Sequence, residues 1–137
     1  MKIFLDSSAF AKRHVEEKGS RQVDELCTRA SELSLSVICV PEIISALNLR
    51  RREKLISLKE YTIIKQHLMS DVRDAIVIHL TAEVAAASVT LLEASSVRAM
   101  DAFHVASALE WGANLFASPD PRQLAAARKA GLKTKYV

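Results

Sequence analysis

The sequence predicts an α/β fold: a three-layer α/β/α sandwich with a mostly parallel central sheet. Three observations predict it. Short apolar runs alternate with longer segments of helical periodicity along the whole chain. The connections between those runs are helices rather than two-residue hairpin turns, which calls for parallel strands joined by right-handed crossovers. At 137 residues with no internal repeat, low-complexity tract or Pro/Gly-rich linker, residues 1–137 read as a single domain. Parallel sheets of this kind are covered by helices on both faces.

The elements follow in order. Lys2 to Leu5 is a short apolar run stopped by Asp6-Ser7-Ser8, a strand leading into a helix start. Ser20 to Leu33 carries Val23, Leu26, Cys27 and Ala30 at helical spacing, with Ser20 as the expected N-cap. Leu35 to Val40 is apolar and partly β-branched, a second strand. Pro41 suits the first position of the next helix, where no donor is needed and its φ is already helical. That helix carries Ile43, Ile44 and Leu47 and ends near Lys54. A further helix spans Leu58 to Val72, with Tyr61, Ile64, Leu68 and Met69 as its apolar stripe. Ala75 to Leu80 is strand-like, and Thr81 caps a helix reaching Ser95. Met100 to Trp111 is Ala-rich and apolar on most sides, a buried helix stopped at Gly112. Leu115 to Ala117 is a strand, Pro121 to Ala130 a helix ended by Gly131, and Thr134 to Val137 the last strand.

Composition narrows the function. Lys and Arg exceed Asp and Glu by 19 to 16, so the net charge is +3. That is compatible with a polyanionic partner but far below a purely electrostatic binder. No stretch of about eighteen apolar residues exists to span a bilayer. The N-terminal run meets Asp6 too early for a secretory signal, so a cytoplasmic location is expected. Cys27 and Cys39 form neither a metal-type pair nor a disulfide framework.

Ligands of an open parallel sheet bind at the carboxyl ends of its strands. Asp6 follows the first strand, Glu42 the second, and Asp120 the Leu115–Ala117 strand; Asp101 opens the apolar helix. Each has an ordinary reading as a helix cap or first-turn acid. Together they form one edge of carboxylates, which repel one another unless a cation lies between them. The hard, oxygen-preferring ion for such a set is Mg²⁺ or Mn²⁺, and three or four carboxylates around it are the apparatus for hydrolysing phosphodiesters. No Ser/His/Asp order, His cluster or G-x-S-x-G elbow competes with that chemistry.

These residues bring out a family likeness. The opening Ile3-Phe4-Leu5-Asp6-Ser7-Ser8, Pro41-Glu42, Asp101-Ala102-Phe103-His104-Val105-Ala106-Ser107-Ala108-Leu109 and Phe116-Ala117-Ser118-Pro119-Asp120 occur in the order of a known set. The chain resembles the PIN-domain nucleases, and among them the VapC toxins of prokaryotic toxin–antitoxin pairs. The resemblance implies that Asp6, Glu42 and Asp101 are metal-binding, catalytic carboxylates with Asp120 as the fourth. It implies that Ser8 and Ser118 are supporting hydroxyls, and that the protein is a homodimer blocked by a separately encoded antitoxin. The proline between Ser118 and Asp120 departs from the common family pattern.

Arg50, Arg52, Arg98 and Arg122 are the candidate contacts for RNA phosphates, beside the plainer reading of Arg50 and Arg52 as a solvated helix end. Aromatic residues are 5% of the chain, so base stacking on exposed rings is not expected to dominate recognition. His104, three residues after Asp101, is placed to face the site, beside the plainer reading of a satisfied core or helix-surface histidine. A phosphoacceptor domain would need adjacent acids after the first strand and a Lys after the last, and both are missing. Gly19, Gly112 and Gly131 form no phosphate-binding loop. Two alternatives stay open from sequence: a non-catalytic RNA-binding or interaction module on the same fold, and an RNA-processing nuclease outside any toxin system.

Overall fold

In the computed structural model, which describes residues 1–137, five strands and seven helices alternate. The strands are β1 (Lys2–Leu5), β2 (Glu32–Ser36), β3 (Ile76–Ile78), β4 (Leu115–Ser118) and β5 (Thr134–Tyr136). The helices are α1 (Ser7–Ala11), α2 (Ser20–Arg29), α3 (Cys39–Arg52), α4 (Leu58–Arg73), α5 (Ala82–Ala94), α6 (Ala99–Trp111) and α7 (Pro121–Lys129). The sheet runs β3-β2-β1-β4-β5 and every pairing is parallel.

Alternation along β1 divides the core, because successive side chains point to opposite faces. Ile3 and Leu5 join Phe10 of α1, Val23 and Leu26 of α2, Ile43 and Leu47 of α3, and Leu68 of α4. Phe4 joins Phe116, Val84 and Leu91 of α5, Val105 of α6 and Leu124 of α7 on the other side. Phe4 and Phe116, paired in register across β1 and β4, stack with ring centroids 5.8 Å apart. The expected three layers are therefore present, with α1–α4 on one face and α5–α7 on the other.

Several boundaries differ from the sequence expectation, each for an identifiable reason. The second strand is Glu32–Ser36, not Leu35–Val40, because Lys2 pairs with Glu32 and the ladder begins at an exposed polar residue. The rest of the apolar run belongs to the next element: Ile38 caps α3, and Ile38 and Cys39 are buried there. Pro41 is accordingly the third residue of α3, which a first turn tolerates because its N–H groups have no helical partner. The second helix stops at Arg29, short of the expected Leu33. Its N-cap is Gly19, at φ +94°, rather than Ser20, whose hydroxyl instead accepts from Glu17 N. A Cβ on Gly19 would stand 2.6 Å from the backbone carbon of Val137, so close packing as well as φ requires glycine there. Thr81 caps α5 as expected, accepting from Val84 N.

Candidate active site

The strand order makes the site. From β1 the chain winds outward through β2 and β3, and from β4 through β5, so the loops after β1 and β4 part at the carboxyl edge. Asp6 leaves β1 there and caps α1, its Oδ1 accepting from Ala9 N at 2.8 Å. Asp120 follows β4 and caps α7, its Oδ1 accepting from Arg122 N at 2.9 Å. Glu42 lies in the first turn of α3 and Asp101 in the first turn of α6.

Glu42, Asp101 and Asp120 line one cavity of about 760 Å³, together with Arg98 and Arg122. Asp6 is 1% exposed and is joined to that group through Ser118. The Ser118 hydroxyl donates to Asp6 Oδ2 at 2.6 Å and accepts from Asp120 N at 2.9 Å. Burial pushes the Asp6 carboxyl up to about 6 against lowering by the Ser118 and Ala9 hydrogen bonds, and the nearby Asp120 charge adds to the rise. Asp101 is likewise raised, first by burial and then by repulsion from Asp120. Burial also pushes Glu42 up, but hydrogen bonds from His104 and Ser7 outweigh it and hold that carboxyl below its ordinary value.

The other expected residues divide. Arg98 and Arg122 stand on the cavity wall, and Arg52 lines an adjoining groove that also includes Glu42 and Met100. Arg50 lines neither. Ser8 is exposed beside Glu42 and makes no hydrogen bond; its neighbour Ser7 is buried and donates to Glu42 Oε1 at 2.6 Å. Two participants escaped sequence reasoning: Ser7, and Gln123, whose Nε2 donates to Asp101 Oδ1 at 3.0 Å; His104, plainer as a core histidine from sequence, does face the site. Spacing held the signal for His104, since residues three apart on a helix share a face and Asp101 opens that face.

Neither Asp6, Asp101 nor Asp120 has a Lys or Arg within ion-pair distance, and the ion-pair partner of Glu42 is His104. Carboxylates that raise one another and lack a fixed counter-charge suit a hard divalent cation. The arrangement is an open one: no three His, Cys, Asp or Glu side chains are gathered closely enough to hold a metal ion. A cation bound here would be held by Asp6, Glu42, Asp101 and Asp120 drawn inward around it.

Comparison with known proteins identifies the family and the fold. The PIN domain family model matches residues 3–129. A search of curated proteins found no match. Among solved structures, FitAcB from Neisseria gonorrhoeae is similar at 18% identity and TM-score 0.71, covering 96% of this chain and 95% of that one. VapBC2 from Rickettsia felis, bound to a DNA fragment from its promoter, is similar at 12% identity and TM-score 0.72, covering 100% and 99%. Mycobacterium tuberculosis VapC20, a toxin that cleaves the sarcin–ricin loop, is similar at 18% identity and TM-score 0.68, covering 95% of each chain.

Proposed function

The chain belongs to the PIN domain family, and on that premise we propose that it is a Mg²⁺- or Mn²⁺-dependent endoribonuclease, the toxin of a VapBC-type pair. One observation carries the reading: Glu42, Asp101 and Asp120 line one cavity at the carboxyl edge of the sheet, Asp6 is tied to them through Ser118, and none of the four has a Lys or Arg within ion-pair distance. When bound, the divalent cation supplies activation of the attacking water and neutralisation of charge on the scissile phosphate.

The protein's own residues supply the rest. Asp6, held by Ser118 and Ala9 N, is a fixed negative centre at the base of the site. Glu42, Asp101 and Asp120 line the cavity that receives the phosphate. Arg98 and Arg122, on the same wall, bind phosphate oxygens of the RNA backbone, and Arg52 extends that track along the adjoining groove. Hydrolysis adds water across the P–O bond, so no protein nucleophile is consumed.

The resemblance to VapC toxins, with a toxin–antitoxin complex among the similar structures, supports a separately encoded antitoxin as partner, and the homodimer is what that resemblance implies. No helix is long and apolar enough to cross a membrane, and a cytoplasmic site of action follows from an RNA substrate.

The test incubates purified protein with structured and single-stranded RNAs plus Mg²⁺ or Mn²⁺, against EDTA and the Asp6→Asn/Asp101→Asn double variant. Cleavage is expected with metal alone and lost in the variant. Absence of cleavage together with absence of metal-induced stabilisation would reduce the acids to helix caps and sink the proposal.

A further inference from the structure

We propose that His104 is a positioning residue for Glu42: through Nε2, together with the Ser7 hydroxyl, it fixes Oε1 of that carboxylate and leaves Oε2 free for the cation or water of the cavity. The inference rests on the nuclease reading of the same site and adds a role for two residues outside its carboxylate set.

The geometry is a closed triangle. His104 Nε2 lies 2.5 Å from Glu42 Oε1, Ser7 Oγ lies 2.6 Å from the same oxygen, and Ser7 Oγ lies 3.1 Å from Nε2. An ionised carboxylate oxygen only accepts, so Nε2 carries the proton and donates. Both donors converge on one oxygen, and Oε2 makes no hydrogen bond. The three residues come from α6, α3 and α1, so the contact joins three helices at the cavity.

Two further features separate this from ordinary packing. His104 is 2% exposed among Ala102, Val105 and Ala106 in a largely apolar helix, and its Nδ1 is buried with no partner. An aliphatic side chain would fill that space without desolvating a polar nitrogen, so packing alone does not account for an imidazole. The Glu42 side chain, by contrast, is 31% exposed on the cavity wall and has several rotamers to lose. An anchored Oε1 removes that freedom before anything binds, which is what orientation of a ligand by its outer partners achieves.

The experiment measures Mn²⁺ binding by calorimetry, with no RNA present, on the wild type, His104→Leu, His104→Gln and Ser7→Ala. Thermal melting in EDTA runs alongside it. In His104→Leu the affinity for Mn²⁺ is expected to fall about 10- to 100-fold, the usual effect of losing an outer partner, with no drop in melting temperature. His104→Gln, which keeps an N–H donor, recovers most of the affinity, and RNA cleavage at saturating Mn²⁺ shows a lowered kcat with KM unchanged. His104→Leu binding Mn²⁺ like the wild type would overturn the inference and leave the nuclease reading intact. So would His104→Gln as weak as His104→Leu, because the side chain would then be packing. Should His104→Leu fail to fold, Ser7→Ala decides: a smaller loss of affinity is expected, and wild-type affinity refutes. A wild type that neither binds Mn²⁺ nor cleaves RNA brings down both readings.

Discussion

Replacing Asp6 by Asn is expected to stabilise the metal-free protein at neutral pH and to lose that advantage in acid. Burial raises the Asp6 carboxyl from its ordinary 3.8 to about 6, so the folded state holds its proton more tightly than the unfolded chain does. The group therefore costs nothing below pH 3.8, costs progressively more as pH climbs towards 6, and changes nothing above that. The gap between 3.8 and about 6 is worth about 3 kcal/mol at pH 7.5. At pH 4 the same linkage leaves less than about 1 kcal/mol. Asn keeps the Ala9 N–H bond to Oδ1, but its amide faces the Ser118 hydroxyl, which must turn its own proton elsewhere. That rearrangement costs about 1 kcal/mol at any pH. The variant is thus about 2 kcal/mol more stable than the wild type at pH 7.5 and about level with it at pH 4. Urea unfolding followed by far-ultraviolet circular dichroism in EDTA, at both pH values, measures it. An Asn–Asp difference that is the same at pH 4 and pH 7.5 would show that Asp6 is not a strained charge, and the case for a missing cation would weaken with it.

Three other outcomes are expected. Asp101→Asn removes charge from the cavity while keeping shape: at Mn²⁺ a hundredfold above its dissociation constant the wild type gains about 2.7 kcal/mol of stability, and the variant gains less than half of that in the same melting assay. Arg122→Gln keeps the backbone N–H that Asp120 caps and removes one phosphate contact. The slope of log affinity against log salt for single-stranded RNA should then shrink by about 0.7; an unchanged slope removes Arg122 from the RNA track. Gly19→Ala meets both an unfavourable φ of +94° and the Val137 backbone. A loss of about 1–2 kcal/mol or more in urea unfolding is expected, and a neutral result would mean that the Val137 end of the chain gives way freely.

The layered α/β architecture was legible because short apolar runs such as Ile3-Phe4-Leu5 are separated by segments with helical stripes such as those of α3 and α4. Register was not. The run Leu35–Val40 is apolar except for Ser36, yet its first part is strand and its last part opens a helix, since periodicity cannot separate a short buried strand from a buried helical turn. Asp6, Glu42 and Asp120 could be singled out because chain order alone delivers strand ends to one edge, and Asp101 because it opens a helix that is otherwise largely apolar. The internal wiring could not: whether Ser7 or Ser8 turns inward after β1 depends on the angle at which α1 leaves the sheet. Likewise, the partner of His104 lies 62 positions away on another helix. Nothing local in the sequence records such a distance.

The capping and metal-binding readings of these acids, alternatives at the level of sequence, are compatible in the folded chain. Asp120 spends Oδ1 on the α7 cap, and Oδ2 has no hydrogen-bond partner. Asp6 uses both oxygens, one for Ala9 N and one for Ser118. Each carboxylate oxygen has two lone pairs, so either can still face a cation. Capping also fixes the carboxylate at the end of a strand, where a long free side chain would have to be ordered on binding. Asp101 is not an N-cap and is held by the Gln123 amide, but Glu42 shows this logic most clearly. It caps nothing, reaches the cavity on a longer stem, and is the acid held instead by a dedicated pair of donors, His104 and Ser7. Three acids at the edge are oriented by the backbone of the helix they begin or by a neighbouring amide, and the fourth by side chains.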